Sequence, residues 1–301
     1  MNGPALGQVL AALSAVSFAF SNYFVSRTTR SSGDKGVMFS VLVTVAISGV
    51  LWMLLEGARA TLPQARADWV AFGWFGLAGI LAMVFGRSLV FESIRRLGVS
   101  RATAIKRLNP FFSVLLAALL LGEAVTWLDG IGMLAIAGAF GLLIRQSFRA
   151  RREASAPPPV AFLFGIFGAL AYALAYIARK AGLDIMATPA FGTFLSAVTG
   201  FAGFAALALV MPRYATNLAG VFRHLDRWIV AAAIMVSFGH ILMFAALAYE
   251  SVATVVMIAS LEIFISIFLA VVVFRTEPVP GPAIALAALL ATGGVILVAA
   301  S

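Results

Sequence analysis

Long apolar runs separated by short polar connections dominate this 301-residue chain and leave it one solvent to fold in. A hydrocarbon core about 30 Å thick is crossed by about 20 helical residues. Runs of that kind lie at 7–26, 37–56, 69–91, 102–121, 128–145, 160–179, 189–211, 228–249, 252–274 and 281–300. Backbone groups in lipid must bond within the protein, so the alternatives are helices or a closed barrel. Barrel strands would alternate apolar and polar positions over segments of about ten residues, whereas these runs are apolar on every face and rich in Ala, Leu and Gly. The expected fold class is all-α integral membrane, with ten transmembrane helices. The first run reads as a span and not a signal peptide, because Met1–Leu6 carries no basic residue and the run exceeds a signal core. With 62% hydrophobic and 11% charged residues, the polar material is too sparse to cover a soluble body.

The net charge of +9 comes from basic clusters between the runs, placed to meet anionic headgroups, so no nucleic-acid partner is expected. Lys and Arg mark the cytoplasmic connections of a membrane protein. Connections after the odd-numbered runs, with adjoining run ends, hold 16 of them and the even connections 4, namely Arg59, Arg66, Arg179 and Lys180. The count puts the polar stretch Arg145–Pro159 in the cytoplasm and both termini outside. The expected location is a bacterial inner membrane.

That stretch sits at mid-chain and prompts a search for a repeat. A shift of 153 residues aligns 85–141 with 238–294 without a gap and with 14 identities in 57 positions, among them Gly86/Gly239, Leu108/Leu261, Phe111/Phe264, Ser113/Ser266 and Gly141/Gly294. The expected organisation is a five-helix repeat over 1–148, a linker over 149–159 and a second five-helix repeat over 160–301. Five is odd, so the second repeat enters the membrane inverted around a central cavity. Inverted halves are the recurring architecture of secondary transporters, which open a midplane site to each side in turn.

An ionisable side chain within a span is costly unless it meets a partner or a wet cavity, so each is a functional candidate. Glu262 lies about ten residues into its run, and the shift pairs it with Asn109, next to Pro110. A proline there removes a backbone hydrogen bond, so the broken helix and Asn109 are placed to offer polar groups to a substrate. Arg87 and His240 are also mates and suggest two sides of one cavity: Arg holds a carboxylate well, and His exchanges protons near neutral pH. The bland alternative is an Arg87 pair with Glu92 or Glu262, and a His240 satisfied by backbone. Lys106 is placed to reach the cavity mouth or to snorkel to headgroups. Ser14, Ser17, Ser21, Asn22 and Tyr23 make a polar stripe on the first run, and Tyr172 and Tyr176 lie four apart on the sixth; serines of this kind also serve close packing. Trp69, Trp127 and Trp228 fall at run ends as interfacial anchors. The small residues of the fifth and tenth runs, such as Gly132 and Gly294, read as scaffold.

The stretch Ala102–Gly132, ATAIKRLNPFFSVLLAALLLGEAVTWLDGIG, with Pro110, Gly122-Glu123 and the Gly-rich helix that follows, resembles the end of an EamA-type domain of the drug/metabolite transporter superfamily. The second copy departs from it, with Ile263 in place of the proline and Thr276-Glu277 in place of Gly-Glu. The resemblance implies a metabolite exporter, and the short loops make the chain similar to bacterial amino acid exporters of the YddG type. It also implies cytoplasmic termini, against the charge count, which is kept here as the physical argument. An enzyme is not expected, nor any cofactor or metal: the chain has no cysteine, two histidines and no spaced carboxylate pair. The expected partners are a small-molecule substrate and the lipid bilayer, with proton coupling through Glu262 or His240 open and the oligomeric state not readable. The expected cargo is an amino acid, aromatic or otherwise apolar; amphiphilic drugs or cations, or passive flow through a facilitator, are the alternatives.

Overall fold

The computed structural model describes residues 3–27, 33–57, 63–97, 102, 105–149, 160–223, 225–275 and 281–300, and no strand occurs among them. The helices are α1 (Gly3–Ser26), α2 (Gly33–Leu51, prolonged by a π turn over Trp52–Glu56), α3 (Arg66–Leu97, with a π segment over Ile80–Gly86) and α4 (Asn109–Leu121, ending in a π turn). There follow α5 (Trp127–Arg149), α6 (Val160–Ile185), α7 (Pro189–Val210), the short α8 (Pro212–Ala219), α9 (Arg227–Tyr249), α10 (Val252–Val273) and α11 (Pro282–Ala299).

Seven of these are long and apolar enough to cross a membrane, and three shorter apolar helices, Asn109–Leu121, Trp127–Leu142 and Ala285–Ala299, coincide with the fourth, fifth and tenth expected runs. The chain is a multi-pass membrane protein. Trp69 and Trp127 stand exposed at helix ends, as interfacial rings do. The sixth helix corrects one expectation. It runs to Ile185, so Arg179 and Lys180 lie on the helix and not in a connection. Arg151, Arg152 and the three prolines of the linker, His224 and Thr276-Glu277 lie outside the described residues.

Helices before the linker pack on helices after it. The principal pairs are α3 with α6, α1 with α9, α5 with α11, α3 with α7, and α2 with α7; α1 also meets α10, α2 meets α9, α4 meets α6, and α4 meets α10. Their sense is fixed by side-chain contacts. Ser14 donates to the Gly239 carbonyl at 2.8 Å and Ser21 to that of Ala232 at 3.0 Å, so α1 and α9 are antiparallel. Gln8 donates to the Ala299 carbonyl at 2.9 Å, which puts the start of α1 and the end of α11 on one face, here the terminal face. The opposite side, where α5 ends and α6 begins, is the linker face.

Small residues set the closest approaches. A Cβ on Gly132 would stand 2.5 Å from the Gly294 carbonyl oxygen, and one on Gly294 2.6 Å from that of Gly132, so α5 and α11 touch backbone to backbone. At Gly79 a Cβ would come 2.0 Å from the Ser196 carbonyl oxygen, locking α3 to α7. Such contacts let dispersion and Cα–H contacts hold helices for which lipid supplies no hydrophobic drive.

Candidate functional site

Two helices are broken at the middle of the molecule, in the same way. In α10, regular helix ends at Ala259, Ser260 and Leu261 form a turn in which the Leu261 N–H donates to the Ile258 carbonyl at 3.1 Å, and helix resumes at Glu262. Before α4 the Leu108 N–H donates to the Ile105 carbonyl at 3.0 Å, and helix resumes at Asn109. Each restart is braced by a serine four residues on: Ser113 Oγ donates to the Asn109 carbonyl at 2.9 Å, and Ser266 Oγ to the Glu262 carbonyl at 2.7 Å. The interruption leaves Asn109 and Glu262 at helix starts facing neighbouring helices.

Asn22 on α1 donates to Glu262 Oε1 at 2.6 Å and lies 3.5 Å from Ser266 Oγ. Arg107, over the Phe140 ring at 5.7 Å, is within electrostatic reach of the same carboxylate. Asn109 reaches the hydroxyl of Tyr176 on α6, a ring that also feels Glu262 and Arg179. The Lys106 ammonium stands 5.4 Å from the centre of the Tyr172 ring, one turn away, so this lysine has an aromatic partner rather than only headgroups. Asn22 and Lys106 are both exposed.

Arg87 follows the π segment of α3. Its Nη1 lies 3.4 Å from Ser40 Oγ of α2. Glu92 does not pair with it; Arg95 and Arg96 take that carboxylate at 2.8 and 2.5 Å. His240 packs edge-on to Phe18 at 5.2 Å, and its Nδ1 is buried with no hydrogen-bond partner among the described residues. Arg87, Lys106 and Arg179 all act electrostatically on that imidazole. Glu262, Asn22, Asn109, Tyr172, Tyr176, Lys106, Arg87 and His240 are thus brought around one centre.

The remaining candidates are elsewhere. Ser21 is spent on the α9 backbone, and Ser17 Oγ donates to its own Leu13 carbonyl at 2.9 Å. Tyr23 is buried and stacked on Phe274 with centroids 3.8 Å apart, toward the linker face.

Three residues that sequence reasoning passed over matter to the geometry. Arg179 is 3% exposed and lies against the Tyr176 and Phe244 rings. Its signal was available, since the sixth apolar run resumes after Lys180 as Ala181-Gly182-Leu183. Glu56 ends α2 and accepts from the amides of Ala190 at 2.7 Å and Phe191 at 2.9 Å, capping α7. Glu123, noted only as part of a Gly-Glu pair, accepts from the amides of Val252 at 2.9 Å and Ala253 at 3.3 Å, capping α10 across the molecule. A carboxylate at a helix N-terminus satisfies orphan N–H groups and opposes the helix dipole favourably. Beside these caps on the terminal face lies a ring cluster, Trp52, Phe72, Phe75, Phe191 and Phe244, with centroids 4.8 to 6.3 Å apart. This cluster reaches the polar side chains through Phe244, whose ring lies under the Arg179 guanidinium.

Residues 5–145 match the EamA-like transporter family. Over 106 residues the chain is 27% identical to the uncharacterized transporter YcbK of Bacillus subtilis (strain 168), a stretch covering 34% of this chain and 33% of that protein, so the match spans about a third of the curated relative's length. A crystal structure of a protein 16% identical in sequence superimposes with a TM-score of 0.72 over 97% of this chain and 95% of its own, a likeness of fold. Residues 5–145 thus form an EamA-like transporter domain, of the drug/metabolite transporter superfamily.

Proposed function

We propose that the chain is a secondary transporter that exports small metabolites, amino acids first among them, by alternating access between two inverted five-helix halves, 1–148 and 160–301, joined by the linker 149–159. The observation that carries this reading is the polar centre itself. A carboxylate held by an amide, Glu262 with Asn22, has Arg107 within electrostatic reach and shares the Tyr176 ring with Arg179, in the middle of helices that are otherwise apolar. A zwitterion needs both signs at close quarters, and a membrane tolerates such groups only around a pathway or a partner.

The helix pairings support the inverted halves. Exchanging α1 with α6, α2 with α7, α3 with α9, α4 with α10 and α5 with α11 maps the pair α1–α9 onto α6–α3, α2–α9 onto α7–α3, and α1–α10 onto α6–α4, and leaves α2–α7, α4–α10 and α5–α11 in place. The ten spans of the reading are these same helices without the short α8. Rings and carboxylate caps crowd the terminal face while Asn22 and Lys106 are exposed, which fits a carrier in one of its two end states. With Arg179 and Lys180 on a helix, the basic bias toward the linker face grows, which favours a cytoplasmic linker and external termini in a bacterial inner membrane. A lipophilic cation is the less favoured cargo, because Arg107 is within electrostatic reach of Glu262 and three further cations, Arg87, Lys106 and Arg179, gather near His240.

The test is uptake of labelled amino acids into liposomes holding the purified protein. Saturable uptake with counterflow, lowered about tenfold or more by Glu262→Gln and by Arg87→Gln, is the expected result. Uptake that grows linearly with concentration and shows no counterflow would instead mark a passive facilitator.

A further inference from the structure

We propose that Arg179 is the anion-binding residue of this chain and holds the carboxylate of a bound apolar metabolite beside the rings of Tyr176 and Phe244; the proposal rests on the carrier reading and names one side of its site. The guanidinium carbon stands 5.1 Å from the centre of the Tyr176 ring and 5.0 Å from that of Phe244. Ring faces attract a guanidinium but take none of its N–H bonds, which radiate in its own plane. Those bonds lack takers here. Among the described residues no carboxylate pairs with Arg179, and its Nε is buried without a hydrogen-bond partner.

Five of the described acids have partners of their own. Asp184 is 3.2 Å from Lys180, Glu92 serves Arg95 and Arg96, Glu56 and Glu123 cap α7 and α10, and Glu262 accepts from Asn22. A buried arginine without a counter-charge is costly in lipid, and a planar carboxylate matches its fork in two parallel bonds. A second orphan adds to the first: His240 Nδ1 is buried, unpartnered and within electrostatic reach of Arg179. Tyr176 has the Arg179 guanidinium over its ring and Glu262 within electrostatic reach, so a small molecule beside this aromatic wall would have its anionic end at Arg179 and its ammonium at Glu262.

The experiment measures equilibrium binding by calorimetry to the purified full chain, with 3-phenylpropionate as an apolar carboxylate and phenethylamine as the matching amine. The wild type is expected to bind both. Arg179→Gln should weaken the carboxylate about tenfold or more, Arg179→Lys less, and neither should change the amine, whose affinity falls instead in Glu262→Gln. The proposal is overturned if the wild type does not bind the carboxylate, or if Arg179→Gln binds it as tightly as the wild type. It is also overturned if that variant loses both probes along with its thermal unfolding midpoint, which would make Arg179 a packing residue. Liposome transport is read separately. Binding as expected with no solute moved removes the carrier reading and keeps the site; amino acid transport unaffected by Arg179→Gln does the reverse.

Discussion

The broken helices α4 and α10 differ in the one residue that ought to matter. The segment entering α4 carries Pro110 directly after its interruption, and α10 carries Ile263 at the mate position, yet both make the same turn, restart at mate residues and run into a π turn before ending. Proline removes a donor and disfavours helix in the residue before it, so it suits the first break. It does not cause the second. The shared element is the brace, Ser113 on the Asn109 carbonyl and Ser266 on that of Glu262, together with the packing of the two helices on each other and on α6 and α1. What the two restarts do not share is charge. One restart presents an amide and the other a carboxylate, so two like breaks carry unlike groups and the asymmetry lies in the charge.

The largest expected effect attacks that asymmetry. Glu262→Gln should lower amino acid counterflow by about tenfold or more while Asn109→Ala lowers it only a few-fold, because a lost charge in low dielectric outweighs a lost amide contact; equal effects would mean the two restarts play equal parts. Next comes the geometry of the break. Ile263→Pro copies the first helix and should unfold within about 1 kcal/mol of wild type. Ile265→Pro deletes the amide that donates to the Leu261 carbonyl at 3.0 Å and should cost about 3 kcal/mol. Thermal melts in detergent compare the two, and equal losses would refute a preformed break at Ser260–Leu261.

A smaller change tests the cap that joins the end of α4 to the start of α10. Glu123→Ala removes the acceptor for the Val252 and Ala253 amides and should cost about 1 kcal/mol. It should also speed labelling of single cysteines placed at the terminal end of α10, a scan that the absence of native cysteine makes simple. The smallest expected effect is Pro110→Ala, with transport within about twofold of wild type, because the turn at Ile105–Leu108 has its counterpart in a helix without proline.

The spans were legible because hydropathy over twenty residues is a bulk property that tolerates errors of several residues. The helix ends were less so. Arg179 and Lys180 looked like an interface because two charges in a row commonly end a span, and only the apolar stretch after them, with Phe75 packed into Gly182, holds them on α6. Glu262, Arg87 and His240 stood out as charges in apolar runs. The sequence could not tell which would be satisfied by neighbours and which would not, since that depends on rotamers and on helices distant in the chain. Ser14 and Ser21 show the limit well. As a stripe they suit a cavity or a helix contact equally, and their bonds to the α9 backbone put them in the contact. The break in α10 had no local signal at all, and only its mate 153 residues earlier pointed to it.

The central claim, that the space between the two restarts is the transport site open toward the linker face, is tested most directly by substrate protection of a single cysteine at Ser266, which sits between Asn22 and the Glu262 backbone. Reconstituted Ser266→Cys protein that still moves amino acids should react with a membrane-impermeant maleimide added on the linker side, and a transported amino acid at saturating concentration should slow that reaction about fivefold or more. Labelling at the same rate with and without substrate, in protein that transports normally, would contradict the account and place the pathway elsewhere.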